Sequence, residues 1–203
     1  MRLFVTGTDT NVGKTIISAW LCYNLKASYW KPIQSGIIEG FDSKTVSELS
    51  GAKIFPETYS LKAPLSPHLA ASLEGIQIDL KKMTLPSTNQ SLIVEGAGGV
   101  MVPLNEEHTI LDLIAHLKIP TLVVARSSLG TINHTCLTLE ALRSRSLPVL
   151  GIVMNGPYNA DNKQAIEHFG KTKVLAEIEP LTSLTKQSLT QIPFPPSLYE
   201  FFV

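Results

Sequence analysis

The chain has 203 residues, enough for an α/β domain with a sizeable core, and its 17 basic residues balance 17 acidic ones. A neutral chain without a basic run lacks the charged surface typical of proteins that bind nucleic acid or an anionic membrane. We therefore expect no nucleic-acid partner and no membrane association. Since no segment approaches the length of a membrane span and the N-terminus does not resemble a signal peptide, we expect a cytoplasmic protein.

The cysteines and histidines give little sign of a disulfide or a zinc site. Cys22 and Cys136 lie far apart, each in an apolar helical pattern. We interpret both as buried thiols in a reducing compartment, with a disulfide as the alternative. The five histidines include no pair four residues apart, so a helical zinc site is not expected.

The first sixteen residues contain the most informative motif. An apolar run at 3–5 predicts a buried strand, and an apolar-periodic segment at 16–25 predicts a helix. Between them, a loop of small polar residues ends in Gly13-Lys14-Thr15, which is the order of a P-loop. Its N–H groups would bind phosphate, the lysine would contact the β- and γ-phosphates, and the threonine hydroxyl would bind Mg²⁺. Thr8 stands where the usual motif has its first glycine, and an ordinary strand-to-helix turn is the alternative.

The rest of the chain alternates strands with helices. Predicted strands follow at 27–31, 91–95, 121–125, 149–154 and 174–176, and predicted helices at 43–50, 68–74, 109–117, 131–145 and 161–169. Three prolines within 55–67 predict an irregular loop there. The alternation predicts an α/β protein with a three-layer P-loop NTPase-like fold and a mostly parallel central sheet, in one domain over residues 1–203.

Polar and glycine-rich residues follow most of the predicted strands. They occupy 8–14, 31–36, 95–99, 126–131 and 155–157. Because ligands of open α/β sheets bind beyond the carboxyl ends of the strands, we expect these segments to form one active site.

Two carboxylates are candidates to complete a Mg²⁺ site with Thr15. Glu95 ends a buried strand, where P-loop proteins place a metal ligand or a group that orients water. Asp42 precedes a predicted helix, so an N-cap is the competing interpretation of that residue.

Lys31, the glycine run and Asn155 also follow strands. A second lysine near bound phosphate would neutralise charge on a transferred phosphoryl group or bind an acidic substrate, with a solvated lysine as the alternative. The amides of 96–99 are candidates for binding an anion, with a plain turn as the alternative. Asn155 is placed to read the base, and because a guanine-reading Asn-Lys-x-Asp motif is absent there, ATP is favoured over GTP. His68 and His134 are interpreted as structural.

Five segments, in this order, resemble the dethiobiotin synthetase family. They are GTDTNVGKT at 7–15, KPIQSG at 31–36, SPH at 66–68, VEGAGG at 94–99 and LGTINH at 129–134. The resemblance extends to about Asn155 and implies an ATP- and Mg²⁺-dependent cyclo-ligase of biotin synthesis. Such an enzyme joins CO₂ to 7,8-diaminononanoate (7,8-diaminopelargonate) and closes the ring of dethiobiotin through a carbamate and a carbamic–phosphoric anhydride.

The resemblance also implies roles for individual residues. The catalytic lysines are Lys14 and Lys31. The implied ATP-binding residues are Asp9, Thr10, Asn11, Val12, Gly13, Lys14, Thr15, Ile16 and Asn155. The implied substrate-binding residues are Thr10, Lys31, Ser35, Gly98, Gly99, Gly130, Thr131 and Asn133. The implied Mg²⁺ ligands are Thr15, Asp42 and Glu95. The family is homodimeric, so Gly130, Thr131 and Asn133 are expected to complete the partner's site, and Asn11 departs from a glutamate that family members often carry.

Two other classes share part of this pattern. ParA/MinD-like nucleotide-switch ATPases have the same broad fold but carry an additional lysine early in the P-loop, which this loop lacks. Amide-forming ligases of the cobyrinate type are longer and carry a glutaminase domain. We therefore expect a synthetase and keep the switch ATPase as the alternative.

Overall fold

The structure is a computed structural model that describes residues 1–201. The strands are β1 Arg2–Gly7, β2 Ser28–Trp30, β3 Ile33–Ser35, β4 Ile54–Phe55, β5 Tyr59–Leu61, β6 Leu92–Gly99, β7 Thr121–Arg126, β8 Val149–Asn155 and β9 Val174–Ile178. The α-helices are α1 Lys14–Leu25, α2 Asp42–Ser50, α3 Pro67–Leu73, α4 Ile110–Leu117, α5 Thr131–Ser144, α6 Ala160–Gly170, α7 Lys186–Thr190 and α8 Pro196–Tyr199. A 3₁₀ turn covers Leu80–Lys82.

Seven of these strands form one sheet in the order β4-β2-β6-β1-β7-β8-β9. Every neighbouring pair is parallel, as expected when helices connect successive strands. The carboxyl ends of β1, β2, β6, β7 and β8 therefore lie along one edge, which positions the loops that follow them.

Apolar side chains leave the central strands toward both faces of the sheet. Leu3 and Val5 belong to one hydrophobic cluster with the buried side of α1 and α2, whereas Phe4 belongs to a second cluster with α4 and α5. This alternation explains the unbroken apolar run at 3–5 in β1, since a parallel strand covered on both sides has no solvent face. The predicted three-layer α/β fold with a mostly parallel central sheet is confirmed.

Two local predictions differ from the structure. The segment 55–67 is not wholly irregular, because β5 pairs in parallel with β3 in a small second sheet. Strands this short leave almost no alternation to read between flanking prolines. The predicted strand at 91–95 also continues through the glycine run, so that Gly99 pairs with Gly7 of β1.

The cysteines are both free, but only one of them is buried. Cys22 is buried in α1, whereas Cys136 on α5 is partly exposed, so the prediction of two buried thiols was wrong for Cys136. No helix among residues 1–201 is long and apolar enough to cross a membrane.

Candidate active site

The loop between β1 and α1 wraps around the Lys14 side chain. Gly13 adopts a left-handed conformation (φ 97°) directly before α1, and a Cβ at this position would overlap the Asn155 amide nitrogen. Lys14 is only 7 % exposed, and its Nζ donates to the carbonyl oxygen of Asp9 at 3.0 Å. Burial lowers the pKa of Lys14 to about 8, although the charge of Glu95 opposes that change. A bound anion would restore the preference for the charged lysine.

Asp9 fixes the start of the same loop. Its carboxylate accepts from its neighbour Thr10 N at 2.7 Å and from Arg126 Nη2 at 2.7 Å. Arg126 ends β7, next to β1 in the sheet, so an ion pair joins the loop to this neighbouring strand. Val12 is buried beneath the loop, while Asn11 is exposed with φ 57°.

The three candidate Mg²⁺ ligands lie together at the carboxyl edge of the sheet. Thr15 Oγ1 is 3.0 Å from Asp42 Oδ1 and 3.1 Å from Glu95 Oε1. The register explains this convergence: β2 and β6 pair Trp30 with Val94, so the next residues along, Lys31 and Glu95, face each other. Glu95 is 1 % exposed, and its carboxylate therefore depends on these neighbours rather than on water.

Lys31 neutralises both carboxylates of this group. Its Nζ contacts Asp42 Oδ2 directly and lies 3.3 Å from Glu95 Oε1. Burial alone would lower the pKa of Lys31, but the two carboxylates outweigh it and raise the pKa above its usual value. The pKa of Asp42 is lowered, because the pairing with Lys31 and the Thr15 hydroxyl outweighs burial. Lys31 is 5 % exposed, so the solvated-lysine interpretation was wrong.

Asp42 is the first residue of α2 rather than its cap. Phe41 occupies the N-cap position, where the described structure shows no side-chain cap bond. The Asp42 carboxylate points to Thr15 and Lys31 instead, so the N-cap interpretation was wrong. Its backbone N–H donates to Gln34 Oε1 at 3.2 Å, a contact that the sequence did not suggest.

A cleft of about 1070 Å³ opens beside these residues. It is lined by P-loop residues 10–11 and 13–16, by 34–36 and 39–42, by 64–67 and by Gly98. Among the described residues, the buried hydroxyls of Ser35 and Thr8 have no hydrogen-bond partner. The Ser35 hydroxyl lines the cleft and is available to a polar ligand, although Thr6, Ser18 and Thr121 also carry buried hydroxyls without a partner within residues 1–201.

The glycine run places its backbone close to the P-loop. Gly98 has φ 66°, and a Cβ there would lie 3.5 Å from Thr10 Oγ1 and 2.7 Å from Val102 Cγ2. A Cβ at Gly99 would lie 3.5 Å from Gly7 O. The run is therefore a strand end rather than a plain turn, and it forms one wall of the cleft.

Asn155 and the start of α5 lie on the other side of the P-loop. Asn155 Nδ2 donates to Val12 O at 3.0 Å. Gly130, Thr131 and Asn133 do not line the cleft of their own chain. The Thr131 hydroxyl is buried and donates to Arg126 O, whereas Asn133 is exposed.

Two histidines that the sequence left without partners are both exposed. His68 Nδ1 lies 3.0 Å from Ser66 Oγ at the start of α3.

Within residues 1–201, no group of three or more His, Cys, Asp and Glu side chains is placed to bind a metal ion.

Comparison with known proteins identifies the family. A family model described as an AAA domain matches residues 1–188. The ATP-dependent dethiobiotin synthetase BioD of Paramagnetospirillum magneticum is 55 % identical over 194 residues, which is 95 % of each chain. BioD of Lawsonia intracellularis is 47 % identical over 203 residues, the whole of both chains. The chain belongs to the dethiobiotin synthetase family.

Membership of the dethiobiotin synthetase family establishes the class of enzyme. The chain is an ATP-dependent ligase of biotin synthesis, and its substrates are small molecules that include ATP. It also matches, at 53 % identity, 41 % of the biotin biosynthesis bifunctional protein BioCD of Bordetella avium.

Solved structures that resemble this dethiobiotin synthetase chain show its fold. A putative plasmid partition protein of Borrelia burgdorferi bound to AMPPNP has a TM-score of 0.55 and 12 % identity, and covers 99 % of this chain and 97 % of its own. A ParA family ATPase of Chlorobium tepidum has a TM-score of 0.51 and 10 % identity, with 93 % and 95 % covered. The TM-scores show a shared P-loop fold, whereas the full-length relatives favour the synthetase over the switch ATPase.

Proposed function

We propose that this ligase joins CO₂ to 7,8-diaminononanoate and closes the ureido ring of dethiobiotin, with ATP converted to ADP and phosphate. The observation that carries the proposal is the convergence of Lys14, Thr15, Lys31, Asp42 and Glu95 beside one cleft. A triphosphate on the P-loop would bring its γ-phosphate to the edge where Lys31 lies.

The proposed reaction has three steps. One amine of the diamine attacks CO₂ and loses a proton, which gives a carbamate. A carbamate oxygen attacks the γ-phosphorus of ATP, the bond to ADP breaks, and a carbamic–phosphoric anhydride forms. The second amine attacks the carbamoyl carbon and loses a proton, the bond to phosphate breaks, and the ring closes. Phosphorylation turns a poor leaving oxygen into a good one.

Lys14 and Lys31 would supply positive charge where the γ-phosphoryl group is transferred. Both lysines are buried and their ammonium groups contact protein oxygens, so they need little reorganisation during the reaction. Thr10, Ser35 and the backbone at Gly98 and Gly99 would position the diamine or carbamate. The unpartnered Ser35 hydroxyl at the cleft supports this assignment.

The donor set beside Lys31 suits Mg²⁺. One hydroxyl and two carboxylates are hard oxygen ligands, which Mg²⁺ prefers and usually supplements with phosphates and water. Thr15, Asp42 and Glu95 would hold the ion, which when bound neutralises charge on the β- and γ-phosphates. Asn155 and the P-loop residues 9–16 would bind ATP.

We further propose one domain that works as a homodimer. One seven-stranded sheet from residue 2 to 178 supports a single domain. Leu129, Leu137 and Phe169 expose apolar side chains on and beside α5 and α6, which supports a face that a second copy covers. Gly130, Thr131 and Asn133 border this face and would complete the partner's substrate site.

The test is ATP turnover with and without diamine. Purified protein with bicarbonate, Mg²⁺ and ATP should release ADP only when 7,8-diaminononanoate is added, with one dethiobiotin formed per ADP. ADP release that ignores the diamine would contradict the proposal and favour a nucleotide switch.

A further inference from the structure

The buried Glu95 carboxylate has a neighbour that lies deeper in the sheet than the cleft. Tyr29 lies in β2 and its register partner in β6 is Ile93, two residues before Glu95. Residues two apart on a strand point to the same face, so the Tyr29 and Glu95 side chains lie diagonally beside each other. The Tyr29 hydroxyl donates to Glu95 Oε2 at 3.0 Å.

Because of this bond, the two oxygens of the Glu95 carboxylate have different partners. Oε1 faces the site, 3.1 Å from Thr15 Oγ1 and 3.3 Å from Lys31 Nζ, while Oε2 is occupied by the phenol. Tyr29 is itself fully buried among Val5, Ile17 and other apolar side chains. Its ring therefore has little freedom to move, and the carboxylate is held with one oxygen toward the cleft.

We propose that Tyr29 is a positioning residue that orients Glu95 for the divalent cation of the reaction. The inference rests on the proposed role of Glu95 as a metal ligand. An ionised carboxylate only accepts hydrogen bonds, so the Tyr29 hydroxyl is the donor of this bond. Groups that orient a metal ligand commonly change metal affinity when they are removed.

Tyr29→Phe removes the hydroxyl and keeps the ring. We expect this variant to bind Mn²⁺ roughly tenfold more weakly than the wild type. The affinity is measured with saturating ADP, from the electron paramagnetic resonance signal of the free Mn²⁺. The Mg²⁺ concentration that gives half-maximal diamine-dependent turnover should rise in parallel, with the KM for diamine unchanged. Tyr59→Phe is the matched control, because its hydroxyl bonds to Asp79 N at 2.9 Å, away from this group, and its Mn²⁺ affinity should equal that of the wild type.

A purely structural role for Tyr29 gives a different result. Tyr29→Phe would then lower the melting temperature and leave the Mn²⁺ affinity unchanged, which would overturn the inference. Glu95→Gln separates this failure from failure of the proposed function: unchanged Mn²⁺ affinity in Glu95→Gln removes the metal role of Glu95 itself.

A double variant keeps the inference testable if Tyr29→Phe folds poorly. In the Glu95→Gln background, the uncharged amide gains less than a carboxylate from the hydrogen bond of the phenol. Adding Tyr29→Phe should therefore change neither the melting temperature nor the Mn²⁺ affinity further. A drop in melting temperature that is equal in both backgrounds would overturn the coupling between the two residues.

Discussion

Among the individual residues of the site, Lys31 balances the charge of two carboxylates. Lys31 contacts Asp42 and Glu95 at one edge of the sheet, where Lys31 and Glu95 are buried and Asp42 is partly exposed. Two carboxylates so close together are unfavourable without a cation, and removing one partner of a buried pair leaves charge uncompensated. We therefore expect the stability of the free protein and the proposed catalysis to depend on the same side chain.

Replacing this lysine should affect both properties. Lys31→Met is expected to lower diamine-dependent turnover roughly a hundredfold or more. The free energy of unfolding without Mg²⁺ and ATP should fall by about 2 kcal/mol, less than for a fully buried pair because Asp42 is partly exposed. Mg²⁺ with ATP should restore part of this loss in thermal denaturation.

Lys44→Met is the matched control for this change. Lys44 pairs with Glu48 at 3.9 Å on the exposed face of α2, so neither turnover nor stability should change measurably. Wild-type turnover in Lys31→Met would contradict a catalytic role for the lysine.

Some residues of the candidate site could be predicted from the sequence around them, and others could not. Lys14, Lys31, Asp42 and Glu95 could be predicted because each follows a recognisable strand or precedes a helix, and parallel strands bring such positions to one edge. Tyr29 and Gln34 could not. Tyr29 acts through a register between strands more than 60 residues apart in sequence, and a tyrosine in an apolar strand otherwise indicates only core packing.

The turn from β1 into α1 requires the left-handed backbone conformation of Gly13. Gly13→Ala places a Cβ at φ 97° and against the Asn155 amide. We expect loss of ATP binding, measured by calorimetry, because the loop must shift to relieve both effects. Gly75→Ala is the matched control: φ is 65°, a Cβ there meets nothing within 4 Å, and the residue does not line the cleft, so ATP affinity should be retained.

Helix α4 begins with a capping box whose strength depends on pH. Asp112 accepts from Thr109 N and Thr109 Oγ1 and pairs with Arg145 at 3.1 Å. These contacts outweigh burial and lower the pKa of Asp112 below its usual 3.8. Its stabilising contribution is therefore present above that value and is lost as the pH falls through the lowered pKa.

Asp112→Ala should lower the free energy of unfolding in urea by about 1 kcal/mol at neutral pH. Because the wild-type carboxylate becomes protonated on acidification, the difference from wild type should shrink toward pH 2. Glu48→Ala, on the exposed face of α2, should show no such difference at either pH. A deficit in Asp112→Ala that is independent of pH would mean that packing, not charge, matters at this position.

The elements themselves were predictable where a pattern repeats. Helices such as α4 and strands such as β7 have enough residues to show a period or an unbroken apolar run. β3 and β5 have three residues each, and their pairing joins segments separated by prolines. Their formation is decided by the cover that α3 and the core provide rather than by local preference.

The proposed homodimer makes a prediction at the scale of the whole molecule. Lys14→Ala and Asn133→Ala should each be nearly inactive alone, because one lacks a phosphate contact and the other lacks the residue supplied to the partner's site. Mixed dimers would contain one intact site, so refolding the two variants together in equal amounts should recover about a quarter of wild-type turnover.

Mixing Lys14→Ala with Lys31→Ala is the matched control. Both residues belong to the same half of each site, so no mixed dimer would contain an intact one. Recovery in this control, or its absence in the first mixture, would contradict a shared site.

Gln34 holds together the two ends of the segment between β3 and α2. Its amide nitrogen donates to Ser35 O at 2.8 Å and its amide oxygen accepts from Asp42 N at 3.2 Å, so one side chain joins the two ends of 36–41. Asp42 is thereby joined to β3 by a contact that does not run along the loop, and lengthening a loop whose ends are fixed costs little entropy. Insertions between Ile38 and Glu39 offer evolution, or an engineer, a way to reshape the mouth of the cleft without disturbing the chemistry at its base.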